Sequence, residues 1–119
     1  MARAWALIPH VTHVDEADVT DLEIFRKEQG KAFAPQGAKL TLTAFILKAT
    51  AGALREFPKF NASYDEPAAE IVFKDYVNIG VAVDSPRGLM VPVIRDVDRK
   101  GLVTISKELR EIADRAREF

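Results

Sequence analysis

The chain has 119 residues and a mass of 13.2 kDa, with 48% apolar residues, 29% charged residues and no cysteine. That size allows one domain, with a core hiding roughly two-thirds of the unfolded surface, and the composition excludes disorder, disulfides, thiolate zinc sites and cysteine nucleophiles. Basic and acidic residues nearly cancel, 17 against 18 for a net charge of -1, so nucleic acid is not an expected partner.

The opening Met1–Ile8 is a short apolar run with one charge, unlike a secretory signal. Trp5–Val14 reads as a strand, with Pro9 at its start or on a sheet edge. Thr20-Asp21-Leu22-Glu23 is a Thr-x-x-Glu capping box, so a helix should begin there, with Val19, Leu22 and Phe25 near one face and Gly30 as its stop. Ala34-Pro35-Gln36-Gly37 reads as a loop.

Thr41–Phe57 repeats apolar residues at helical spacing on a face wide enough for a mostly buried helix, which Pro58 ends. Thr43, Lys48, Thr50 and Arg55 make it too polar to cross a bilayer, so a soluble, cytoplasmic protein without membrane partners is expected. Phe60–Tyr64 and Ile71–Phe73 are short strand candidates. Tyr76–Val83 and Leu89–Ile94 are stronger ones, flanking a hairpin loop at Asp84–Gly88 that Asp84 should cap. A last amphipathic helix, Thr104–Arg117, carries Ile105, Leu109, Ile112 and Ala116 on one face and pairs Glu111 with Arg115. The order of elements predicts an α/β chain of the α+β two-layer kind.

Few residues offer chemistry by themselves. His10 and His13 would face opposite sides of a strand, and no carboxylate clusters with them, so no metal is expected. Neither has an adjacent nucleophile, and no catalytic residue is assigned. Glycine-rich phosphate cradles do not occur, and the Asn61-Ala62-Ser63 sequon has no consequence without secretion. Arg26 and Lys27 suit either a phosphate partner or a solvated charged face.

Several stretches together resemble one family. Ile8-Pro9-His10-Val11-Thr12-His13 with Asp18-Val19-Thr20-Asp21-Leu22-Glu23 is similar to the opening of the catalytic domain of the 2-oxoacid dehydrogenase acyltransferases. Lys39-Leu40-Thr41, Phe57–Ser63, Tyr76–Asp84 and Gly88–Asp96 continue the likeness in the family's order. The Ile-Pro-His-Val opening looks more like the acetyl and branched-chain types than the succinyl type, and pyruvate is the 2-oxoacid the acetyl type implies.

The resemblance implies the N-terminal half of a chloramphenicol-acetyltransferase-like fold, in a domain that forms trimers at the core of a dehydrogenase complex. It implies acetyl transfer from a dihydrolipoyl group, carried by a separate lipoyl domain, to coenzyme A as substrate. In the family a His within His-x-x-x-Asp-Gly deprotonates the thiol and a Ser stabilises the oxyanion. No Asp-Gly dipeptide occurs here, and by resemblance both groups fall beyond the last helix, so this chain is expected to be inactive alone. Arg26 matches a family position near the phosphate end of coenzyme A, Lys27 is a less constant neighbour, and Asn61 and Ser63 lie in a segment near the channel. Turn hydrogen bonds account for those two equally well. A non-catalytic assembly or interaction module on the same half-fold is the alternative.

Overall fold

Four α-helices and six β-strands follow one another within residues 2–118, the part that this computed structural model describes. They are α1 (Ala2–Leu7), α2 (Thr20–Phe33), α3 (Leu42–Glu56), β1 (Ala62–Asp65), β2 (Glu70–Phe73), β3 (Ile79–Gly80), β4 (Val83–Ser85), β5 (Gly88–Met90), β6 (Val93–Ile94) and α4 (Leu102–Glu118). The strands form three antiparallel pairs, β1–β2, β3–β6 and β4–β5.

The core lies where the apolar spacing of α3 and α4 meets the strands. Ala44, Leu47 and Ala51 from α3 pack with Ile105 and Ile112 from α4 and with Val77, Ile94 and Val97 from the strand region. Leu54, Ile79, Val81 and Leu109 border this cluster. Local chemistry bounds α3 as expected. The Thr41 hydroxyl accepts from the Ala44 N–H at 3.3 Å, and the chain leaves the helix at Phe57, just before Pro58.

Polar contacts pin α3 to the segment before α4. Lys48 Nζ donates to the Lys100 carbonyl at 2.6 Å, and Arg55 Nε donates to the Asp98 carboxylate at 2.8 Å. The hydrogen bond from Arg55 holds the Asp98 carboxyl below the usual carboxylate range, against a smaller opposing effect of desolvation.

Several expectations are corrected. Trp5–Val14 is no strand: α1 ends at Leu7, and residues 9–19 have no regular structure. Val11 and Val14 are 92% and 85% exposed, and a β-rich segment becomes a strand only where a second strand satisfies its backbone groups. Thr20 does not cap α2. Asp18 Oδ1 accepts from both the Thr20 N–H and the Thr20 hydroxyl, which lowers the Asp18 pKa, while Glu23 turns to Arg26. Gly30 does not stop α2, because the weak helix propensity of one glycine costs only about 1 kcal/mol. The stop is a 3₁₀ turn at Ala34–Gln36, closed by Gly37 at φ 75°.

The two long strands are each broken in the middle. Pro92 has no N–H to donate, and its carbonyl accepts instead from the Val81 N–H at 2.9 Å. At Gly80 the backbones run so close that a Cβ would lie 2.9 Å from Val91 Cγ1. The β4–β5 ladder reaches Ser85–Gly88, leaving only Pro86-Arg87 as the loop. Ser85 caps it rather than Asp84, donating to the Gly88 carbonyl at 2.7 Å, and Asp84 pairs with Leu89 in the ladder. Within α4, Asp114 rather than Glu111 pairs with arginine, with Arg117 at 3.3 Å and Arg110 at 3.8 Å.

The surface is far larger than a closed monomer needs. Its accessible area is 9309 Å², against about 6400 Å² for a folded monomer of this mass and about 19,000 Å² for the unfolded chain. About half of the unfolded surface is therefore hidden, not two-thirds. The radius of gyration is 16.8 Å where a compact chain of this length has about 13.5 Å. Phe60, Tyr64, Ile71 and Leu89 are among the exposed side chains, and α2 buries no residue fully. The 119-residue chain should therefore self-associate in solution. Light scattering across a dilution series should give masses above the monomer, and a monomer mass throughout would overturn this.

Candidate anion-binding cleft

α2, the turn after it and α4 enclose a cleft of about 730 Å³ whose charged lining is Arg26, Lys27, Lys31, Lys39 and Arg110. The 3.6-residue repeat sets Lys27 and Lys31 one turn apart on α2, with Gly30 beside them adding no side chain. The left-handed Gly37 reverses the chain into an extended run. There Ala38 and Leu40 are buried at 4% and 3%, and Lys39 between them faces outward.

Arg26 is held rigidly. Its Nε and Nη2 donate to the Glu23 carboxylate at 3.0 and 2.8 Å, and its Nη1 donates to the Leu40 carbonyl at 3.2 Å. This bond lowers the Glu23 pKa and raises that of Arg26, so both stay charged around neutral pH. Tying α2 to the backbone at Leu40 fixes one wall of the cleft.

The four residues expected at a site do not converge. Arg26 and Lys27 share the basic cleft. Ser63 stands opposite Val72 in β1–β2 and borders a separate cavity of about 740 Å³, along with Arg3, Ile8, Tyr64 and Glu66. Asn61 lines a third, of about 340 Å³. Its side-chain amide donates to the Tyr76 carbonyl at 2.8 Å, and its backbone carbonyl accepts from the Lys74 N–H, so it braces the turn before β1. Lys31, Lys39 and Arg110 are the cleft residues that sequence reasoning missed. A Lys27/Lys31 spacing of four was the one local signal for any of them.

The histidines have local partners. His10 Nδ1 lies 2.6 Å from the Ile8 carbonyl, and its ring stacks on Trp5 at 4.0 Å. His13 Nε2 is 3.8 Å from Asp15, with both side chains exposed. Among the described residues no group of three or more potential ligands could hold a metal, and no helix is long and apolar enough to cross a membrane.

Comparison with known proteins defines the fold. The family described as 2-oxoacid dehydrogenases acyltransferase (catalytic domain) matches residues 1–119. The chain is 52% identical over 118 residues to the dihydrolipoyllysine-residue acetyltransferase component of the pyruvate dehydrogenase complex of Haemophilus influenzae, covering 98% of this chain and 21% of that protein. The same component of Cupriavidus necator is 52% identical over 116 residues, with the same coverage.

Among solved structures, the dihydrolipoamide acetyltransferase of Azotobacter vinelandii matches with a TM-score of 0.94 and 45% identity, over 98% of this chain and 48% of that one. A truncated catalytic core of the 2-oxoacid dehydrogenase complex from Thermoplasma acidophilum matches with a TM-score of 0.85 and 41% identity, over 98% and 53%. The chain thus spans about a fifth of the curated relatives and about half of the solved chains. Its fold is the corresponding part of a chloramphenicol-acetyltransferase-like catalytic core.

Proposed function

Because the chain belongs to the 2-oxoacid dehydrogenase acyltransferase catalytic-domain family, we propose that it forms the N-terminal half of the acetyltransferase core of a pyruvate dehydrogenase complex. In this reading its 119 residues are one unit, and its own task is to hold coenzyme A by the phosphate end while the thiol end accepts acetyl from a dihydrolipoyl group. One observation carries this: five cations and no carboxylate line one cleft in a chain whose net charge is only -1. Anchoring the nucleotide end supplies binding energy far from the reacting sulfur, which serves to position the thiol. Asn61 and Ser63 are proposed to lie along the channel towards that thiol.

The general base and the oxyanion donor would come from the remainder of the family's fold. The partners follow from the same reading: further copies in a trimer-based core, a lipoyl domain and the other dehydrogenase components, in the cytoplasm. The relative whose structure is the cubic core of the pyruvate dehydrogenase multienzyme complex supports assembly of this kind. A second reading, a non-catalytic assembly module, is favoured by the exposed apolar surface and by no other feature.

Arg26→Ala in a complete homologous domain tests the cleft. Two of the five guanidinium N–H groups remain for a phosphate oxygen. Their loss should weaken coenzyme A binding by roughly ten- to hundredfold, the range for hydrogen bonds to charged groups. Calorimetry giving unchanged affinity, in a variant with unchanged melting temperature, would make Arg26 a framework residue only.

A further inference from the structure

Residues Asp96–Gly101 carry the chain from β6 into α4 as a strap alongside α3. Its two ends are pegged in the core, because Val97 before it and Ile105 after it are both 0% exposed. Between the pegs the sequence Asp98-Arg99-Lys100-Gly101 offers no apolar side chain to bury. Charged groups hold this stretch instead. Lys48 Nζ donates to the Lys100 carbonyl at 2.6 Å, Lys100 Nζ pairs with Glu108 on α4 at 2.7 Å, and Arg55 grips Asp98.

The grip on Asp98 is one-sided. Arg55 Nε and Nη2 both donate to Oδ2, while Oδ1 is buried with no hydrogen-bond partner among the described residues. The Asp98 side chain is 10% exposed, whereas that of Arg55 is 45% exposed and reaches in from the surface. Such a carboxylate is tolerated in the interior only while its partner is present. Without the partner, the same charge favours any conformation that returns it to water. A solvated guanidinium that loses its carboxylate suffers no comparable penalty.

We propose that residues 98–101 form a conditional strap with Arg55 as its catch. While Arg55 holds Asp98 the strap lies closed against α3. When Arg55 lets go, the stranded carboxylate drives this stretch into solvent, and Val97 and Ile105 stay seated in the core. Asp98 is thus a fastener in one state and an ejector in the other.

Amide hydrogen exchange at one fixed protein concentration tests this, since it reads local opening residue by residue. The Arg99 N–H, bonded to the Asp96 carbonyl, and the Lys100 N–H, bonded to the Val97 carbonyl, report on the strap. The Val97 N–H, bonded to Val77, and the Ile105 N–H, bonded to Gly101, report on the pegs. Arg55→Gln should speed exchange at Arg99 and Lys100 by roughly ten- to hundredfold, the range for bonds to charged groups. Val97 and Ile105 should change by no more than about threefold. Adding Asp98→Asn to Arg55→Gln should slow the strap again, because no charge is then stranded. Arg55→Lys keeps the charge but loses the two-bond grip, and should fall between the parent and Arg55→Gln. Trypsin should nick Arg55→Gln at Arg99 or Lys100 sooner than the parent or the double variant. Parent-like exchange in Arg55→Gln, or a double variant as open as Arg55→Gln alone, would overturn the proposal. Val97 and Ile105 rising in step with Arg99 would overturn it too, since the whole core would then be opening.

Discussion

Mixed with an acetyl-dihydrolipoyl donor and coenzyme A, the 119-residue chain should turn over at least on the order of 10²–10⁴-fold more slowly than a complete domain of its family, the usual contribution of a positioned general base. Acetyl transfer between two sulfurs needs a base within hydrogen-bond reach of the accepting thiol and donors aimed at the tetrahedral oxygen. Neither described histidine fits that task. His10 is stacked on Trp5 beside the Ile8 carbonyl, His13 sits next to Asp15, and neither lines the basic cleft. Adding a polypeptide with the family's Ser segment and a His-x-x-x-Asp-Gly segment should raise the rate, because that chain brings the missing groups. A rate near that of a complete domain, measured on the purified chain alone, would show that another group serves as base.

Ile105→Ala should remove about 2–5 kcal/mol of stability, the range for truncating a fully buried aliphatic side chain. Ile105 is 0% exposed, and it joins α4 to Val77, Ile94, Val97 and the buried face of α3 in one cluster. A chain that hides only half of its unfolded surface has little reserve against such a cavity. Ile46→Ala, on the 54% exposed flank of α3, is the control and should stay within about 0.5 kcal/mol. Denaturant midpoints measured at one fixed protein concentration decide the matter, since association shifts apparent stability. A loss at Ile105 no larger than at Ile46 would mean that this cluster does not hold the fold together.

The parts of this fold that were legible in the sequence are those whose causes are local. α3 follows from its own apolar repeat, with Thr41 at one end and Pro58 at the other. Ile105, Ile112 and Ala116 are buried as the periodicity of α4 requires, although Leu109 stays only partly covered. Trp5–Val14 misled because its pattern carries no record of whether a pairing strand exists. The capping box misled because Asp18, two residues earlier, takes the Thr20 N–H that the Glu23 side chain would accept, while the Glu23 N–H goes to the Val19 carbonyl. Lys27 was legible as a charge next to Arg26, but Arg110 reaches the cleft from a distant helix, and no local spacing encodes that approach. Asn61 and Ser63 are only two positions apart in the sequence, yet the turn into β1 sends them to different cavities.

The close approach at Gly80 has a consequence for how such sequences can drift. A methyl group at position 80 would collide with Val91 Cγ1, and valine cannot swing aside cheaply because its branched Cβ restricts χ1. Alanine at 80 is therefore tolerable only once position 91 has become smaller or lost its branch. The two changes are ordered in time, residue 91 first, and lineages with a branched residue at 91 should retain glycine at 80. Position 91 is half exposed and is not a member of the core cluster, so it would pass for a freely varying surface site. It is instead the contact that decides whether a glycine eleven residues away can be replaced.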